Sequence, residues 1–165
     1  NVRLLVMGDA TLRWEETALS HQLTPTIQRV DILRTGHHGN NSTGKELLSS
    51  LNPSLAIISS GKPKLGTTEK YGYPSASAVK RILAHLAERQ FTPSLPTNRI
   101  HGCQRVNSTC KWKEFAAPAN LLSTASVGNI DIYVKNRSIC VRTDKLQDSM
   151  IFHFSDEILA NNLGQ

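Results

Sequence analysis

The first half of this chain alternates between short apolar runs and amphipathic stretches, and few folds accept that pattern. Val2 to Met7 is a nearly continuous apolar run that ends at Gly8-Asp9, as a strand covered on both faces would. Val30 to Leu33 and Leu55 to Ile58 are further strands, the last ending in Ser59-Ser60-Gly61. Between the first two, Leu12, Leu19 and Leu23 recur on one helical face, and Pro25 closes that helix. Thr11 can cap it, and Glu15 and Glu16 near its first turn suit the helix dipole. Leu47, Leu48 and Leu51 fit a short helix capped by Ser42 or Thr43 and stopped at Asn52-Pro53. After a Ser75 cap, Val79, Ile82, Leu83 and Leu86 follow the i, i+3, i+4, i+7 rule. Strand, helix, strand, helix, strand, helix predicts a layered α/β architecture with helices packed on a sheet.

Beyond Leu86 the periodicity decays. Prolines 93, 96 and 118 and scattered polar residues predict an irregular insertion over about 92–127, with a strand near Arg99 to His101. Ile130, Ile132 and Val134 then alternate with polar residues, Lys135-Asn136-Arg137 turns, and Ser138 to Arg142 returns as a β-hairpin at the sheet edge. Met150 to Phe154 reads as one more strand and 155–165 as a tail.

At 165 residues the chain makes one domain or part of a larger one. Its lack of a starting methionine and its immediate entry into a strand read as a piece of something longer. Nineteen basic against thirteen acidic residues give a net charge of +6, which favours polyanionic partners, nucleic acid first. Three cysteines leave one over, so no complete disulfide framework follows; Cys103 and Cys110 are either a disulfide or two reduced thiols, and the thiols are the expectation. No apolar run reaches the roughly eighteen residues that span a membrane. No signal peptide stands at Asn1, so the chain is expected in the cytoplasm.

Two stretches carry chemistry. Gly8-Asp9 sets a carboxylate at the C-terminal end of a strand, where α/β layers put their ligands. Leu33-Arg34-Thr35-Gly36-His37-His38-Gly39 sets two histidines between two glycines after the next strand. Imidazole nitrogen and carboxylate oxygen suit zinc or a related divalent ion, and flanking glycines let the backbone turn sharply beside it. The plainer alternatives are a helix-capping aspartate and a solvated histidine loop. Lys62, Lys64 and Lys70 with Tyr71 or Tyr73 form either a polyanion groove with a stacking surface or a solvated loop. No glycine pattern makes a phosphate-binding P-loop, and Ser59 and Ser60 have no acid or base beside them in sequence.

Taken in order, Gly8-Asp9-Ala10, Gly36-His37-His38-Gly39, Ile57-Ile58-Ser59-Ser60-Gly61 and Tyr71-Gly72-Tyr73-Pro74-Ser75 resemble the second half of the metallo-β-lactamase fold. In particular they resemble the hydrolase domain of the ComEC-type DNA-uptake proteins. The resemblance covers roughly Val2 to Leu86, and the hairpin at 130–142 resembles the family's closing strands. It implies that residues 1–154 are the C-terminal half of an αββα sandwich, a mixed sheet flanked by helices. It also implies a two-metal hydrolase of phosphodiester or nucleic-acid-like substrates, with two zinc ions or manganese in the complete protein. By this resemblance Asp9 matches the bridging carboxylate, and His37 or His38 matches the last histidine ligand, with His37, the nearer to the strand end, favoured over His38. The family's His-x-His-x-Asp-His cluster is absent from these 165 residues, so the N-terminal half of the fold is required for a full metal site. The chain also has Tyr73 where the family usually has histidine, and Asn40 where it usually has serine. A degenerate module that binds nucleic acid or a partner protein without catalysis is the competing expectation.

Overall fold

The structure, a computed structural model, describes residues 2–20, 29–87, 98–135, 138–146 and 150–153. The expected helix end at Leu23-Pro25, the prolines at 93 and 96, His21, Asn136-Arg137 of the expected turn and the tail 155–165 lie outside the described residues.

In chain order the elements are β1 (Leu4–Val6), α1 (Leu12–Ser20), β2 (Ile32–Arg34), α2 (Lys45–Leu51), β3 (Leu55–Ile58), α3 (Gly66–Tyr71) and α4 (Ala76–Ala87). There follow β4 (Asn98–Val106), β5 (Thr109–Ala117), β6 (Leu121–Ser123), α5 (Thr124–Val127), β7 (Ile130–Lys135), β8 (Ser138–Thr143) and β9 (Met150–His153). Strands β1-β2-β3-β6 form one parallel sheet, β4-β5 an antiparallel ribbon, and β7-β8-β9 a second antiparallel sheet. The fold class is therefore mixed α/β, as the alternation predicts.

Side-chain alternation along the parallel strands builds two cores. Leu33, Ala56, Ile58 and Leu121 face Leu47, Leu48 and Leu51 of α2 and Val79, Ile82 and Leu86 of α4. Ile32, Leu55, Ile57 and Leu122 face Ile139 and Val141 of β8, with Ile130 and Ile132 of β7 against them. The parallel sheet thus lies between a helical layer and a second sheet. Both faces of β3 are buried along its whole length, which is why it reads as an unbroken apolar run.

Four expectations change. Strand β1 is covered on one face only: Leu4 pairs with Ile32 and so lies on the side of the second sheet, yet Leu4 is 56% and Val6 54% exposed. The hairpin at 130–142 is not an edge addition, because Ile139 and Val141 pack onto a face of the parallel sheet. The segment 92–127 is not irregular from Asn98 onward. It forms a hairpin of two nine-residue strands and then β6, which joins the main sheet beside β3. The hairpin turns at Asn107-Ser108, both with positive φ (47° and 64°), as a tight two-residue turn requires. Its strands expose Lys111, Lys113 and Glu114, so the apolar rhythm that marks a strand is weak. Finally, Cys103 and Cys110 form a disulfide rather than two thiols. Pairing in the ribbon brings their Cα atoms to 5.3 Å, within bridging range, and leaves Cys140 as the free cysteine.

Candidate metal centre and its supporting loops

The loops after β1 and β2 leave neighbouring parallel strands in the same direction, so Asp9 and the histidine pair emerge at one end of the sheet. They are docked on each other directly. The His37 amide donates to the Gly8 carbonyl at 2.8 Å. A Cβ on Gly36 would stand 2.3 Å from the Ala10 carbonyl oxygen, so only glycine allows this approach. His37 and His38 occupy a single 3-10 turn, both in the left-handed region at φ 43° and 54°. Two consecutive non-glycine residues there carry strain that the surroundings must hold in place, a pattern that clusters at functional sites.

The surroundings do so through an unexpected residue. Glu15 of α1 is 2% exposed, and its oxygens accept the amides of Thr43 at 2.6 Å and Gly44 at 2.8 Å. It thereby satisfies donors at the start of α2, whose N-cap Gly44 makes no side-chain cap bond. The expected caps work elsewhere: the Ser42 hydroxyl donates to the Gly36 carbonyl at 2.6 Å. Arg81 of α4 donates to the Thr43 and Ser42 carbonyls at 3.1 and 2.8 Å. Burial pushes the Glu15 carboxyl above its ordinary value, against the opposing pull of the two amides and Arg81.

The two histidines differ in their bonding. The His38 Nδ1 lies 2.7 Å from the Ser59 carbonyl oxygen. A carbonyl only accepts, so Nδ1 carries the proton and Nε2 presents its lone pair, the arrangement usual for a metal-ligating histidine. The His37 Nε2 lies 3.4 Å from the Tyr73 hydroxyl, and its Nδ1 is buried with no hydrogen-bond partner. Tyr73 stands edge-on to His37 and stacks on His38 with centroids 5.2 Å apart. Burial first, then Tyr71 and the charge of Asp9, raise the Tyr73 pKa, so its hydroxyl stays protonated. Asp9 itself is exposed and borders an open cavity of about 320 Å³ with Met7 and Trp14, the latter 56% exposed.

Among the described residues no group of three or more His, Cys, Asp or Glu side chains is set to hold a metal ion. A catalytic zinc takes three protein ligands and a water. Asp9, His37 and His38 therefore do not complete such a site among the described residues. The structure brings the sequence-predicted residues to one end of the sheet, and the Asp9 and histidine loops into backbone contact. Tyr73 as a partner of both histidines, Glu15 and Arg81 as the loop's anchors, and the Ser59 carbonyl were not singled out from sequence. Twenty-eight residues separate Glu15 from Thr43, and no local pattern links them. The loop from Lys62 to Pro74 also contains α3, and Lys62, Lys64 and Lys70 are all exposed on it.

The chain is 30% identical over 105 residues, 63% of its length, to recombination protein 2 of Haemophilus influenzae. It is 32% identical over 82 residues, 49% of its length, to ComE operon protein 3 of Bacillus subtilis. It spans only 11% and 10% of those proteins. No family model matches the chain. No solved structure matches it. Among the described residues no helix is long and apolar enough to cross a membrane.

Proposed function

We propose that this chain is the C-terminal part of a metallo-β-lactamase-fold hydrolase of the ComEC type, working in DNA uptake on phosphodiester bonds of nucleic acid. It contributes Asp9 and one histidine to a dinuclear zinc or manganese centre whose remaining ligands lie on residues outside these 165. The observation that carries this reading is the docking of two ligand-bearing loops at the ends of adjacent parallel strands, with His37 and His38 both strained at positive φ. Two adjacent residues in the left-handed region cost backbone energy that the surrounding contacts must offset. The bond from His38 Nδ1 to the Ser59 carbonyl favours His38 Nε2 as the ligand, with His37 turned toward Tyr73. Similarity to recombination protein 2 and to ComE operon protein 3 supports a nucleic-acid role, and so does the net charge of +6.

The test uses the full-length protein that contains this chain. Metal content and turnover of a phosphodiester are measured beside Asp9→Ala and His38→Ala. The reading expects about two metals per chain, as in two-metal hydrolases, with metal and turnover both lost in Asp9→Ala. No bound metal, and unchanged turnover in both variants, would reduce Asp9 to a strand-end residue.

The incomplete ligand set favours one second reading, a non-catalytic module that binds nucleic acid. It expects metal-independent affinity that falls steeply with salt and is indifferent to Asp9→Ala.

A further inference from the structure

We infer that a cleft beside the histidine pair binds an unpaired nucleobase of a single-stranded nucleic acid, with Tyr71 as its stacking surface. This deepens the proposed function by naming the form of its substrate, and it rests on that reading for its connection to hydrolysis.

The cleft has a volume of about 300 Å³, at the lower end for small-ligand sites, and it lies between the His38-Gly39-Asn40 turn and the β4-β5 ribbon. Its lining includes Asn40, Tyr71, Gln104 and Arg105. Tyr71 is 45% exposed, although its ring is already aligned. It stacks on Tyr73 with centroids 5.5 Å apart and planes 19° apart, and Tyr73 stacks in turn on His38. A column of three rings therefore runs from the proposed ligand His38 to Tyr71 in the cleft wall. Tyrosine carries large planar area at little entropy cost, and every base has a π-face to lay on it.

The polar groups match the rest of a nucleotide. Asn40 and Gln104 each offer an amide donor and acceptor, the complement of a base edge. The Arg105 guanidinium donates to the backbone carbonyls of Lys70 at 3.2 Å and Ser108 at 3.3 Å. No carboxylate among the described residues forms a salt bridge with it. Lys70 Nζ lies over the Tyr71 ring, 5.1 Å from its centroid, so a base laid on that face displaces the ammonium from it. Two unmatched cations flanking an exposed ring suit phosphates on either side of a stacked base. An apolar peptide would leave these groups unpaired, and a duplex keeps its base faces covered, so an unpaired strand fits and those two do not.

The cleft is braced rather than adaptable. The Cys103–Cys110 bridge lies against Gly72, where a Cβ would meet the two sulfurs at 2.8 and 2.9 Å. Trp112 Nε1 donates to Glu69 Oε2 at 2.7 Å, and the Cys103 amide donates to the Pro74 carbonyl at 2.8 Å. These contacts hold the segment Glu69 to Pro74, and with it both tyrosines, against the ribbon.

The experiment measures fluorescence anisotropy of labelled twelve-nucleotide strands on the full-length protein in EDTA, so that no metal-dependent step contributes. Thymidine DNA, uridine RNA, an abasic deoxyribose-phosphate strand of equal length and a twelve-pair duplex are compared. Tyr71→Ala is expected to weaken single-strand binding by about 5- to 150-fold, and Tyr71→Phe to leave it within about twofold. The abasic strand should bind more weakly than the base-bearing strand and be indifferent to Tyr71→Ala. DNA and RNA share the base, so Tyr71 dependence with either one supports the inference. Equal affinity for duplex and single strand, or an abasic strand that binds as well as thymidine DNA, would overturn it. So would a Tyr71→Ala protein that melts like the parent and binds as tightly. Because binding is read without metal, failure of the hydrolase reading leaves this result standing. Metal-dependent turnover with no Tyr71 effect on binding removes the subsite alone.

Discussion

Glu15→Gln separates the two opposing forces on the carboxylate that anchors the histidine loop. In the parent, both Glu15 oxygens accept buried backbone amides, from Thr43 at 2.6 Å and from Gly44 at 2.8 Å. Glutamine keeps one acceptor and turns an amide donor toward the other N–H, which is left without a partner. An unpaired buried N–H costs about 1–3 kcal/mol. With a urea dependence of about 2 kcal/mol per molar, that moves the unfolding midpoint by about 0.5–1.5 M. The pH dependence is the sharper test. Burial is the largest influence on Glu15 and holds its pKa above the ordinary 4.5, despite the amides and Arg81. The folded chain thus keeps a proton that the unfolded chain has released. The stability contributed by the protonated form is full below 4.5 and is lost as pH rises through the folded value. A protonated carboxyl still accepts at both oxygens, whereas glutamine does not titrate. The stability gap between parent and Glu15→Gln is therefore widest below about pH 4.5 and narrows toward neutrality, and every other titrating group cancels in the difference. Urea unfolding of both proteins from pH 4 to 8 reads this out. A gap that widens as pH rises would mean that the charge stabilises the loop, and would refute the claim that burial dominates.

Gly36→Ala, at an ordinary φ of −70°, meets the Ala10 carbonyl at 2.3 Å. It should cost about 1–3 kcal/mol as overpacking and weaken metal binding in the full-length protein; an unchanged melting temperature would show that the two loops are not in contact. Replacing Cys103 and Cys110 with serine opens a bridge with a sequence separation of 7. Loop-closure entropy puts the loss at about 2.5 kcal/mol, measured by thermal unfolding. Thiol labelling of the denatured, unreduced parent should find Cys140 alone, and all three cysteines only after reduction. Leu4→Lys with Val6→Lys should leave the melting temperature of the isolated chain within about 2 °C, since both side chains are already exposed.

The parallel layer was legible because burial on both faces of β3 leaves no polar position to blur the run from Leu55 to Ile58. Helix α4 was legible because its buried Val79, Ile82 and Leu86 keep strict helical spacing. Of the β4-β5 ribbon only the stretch from Arg99 to His101 was legible, because the ribbon is half-solvated and offers the core little beyond Ile100, Phe115 and Ala117. Strand β6 has three residues and gains its place from Ala56 and Ile58 across the ladder, which no local window contains. At the site, residue types and strand-end positions identified Asp9, His37 and His38 as candidates. Their supports come from Glu15, Ser59, Tyr73 and Arg81, which reach the loop only through the tertiary fold. From sequence Glu15 reads as a first-turn acid that suits the helix dipole; burial against two amides makes it an anchor.

Leu4 and Val6 also bear on what the word stability means for this chain. A strip of apolar surface on an outer strand lowers its free energy when something covers it, so the folded state is linked to whatever binds there. Any binder specific to the folded form raises apparent stability by mass action, by about 2.7 kcal/mol at one hundred times its dissociation constant. Where such a binder is present, a denaturation curve reports a concentration-dependent quantity, set by the covering surface as much as by the core beneath it.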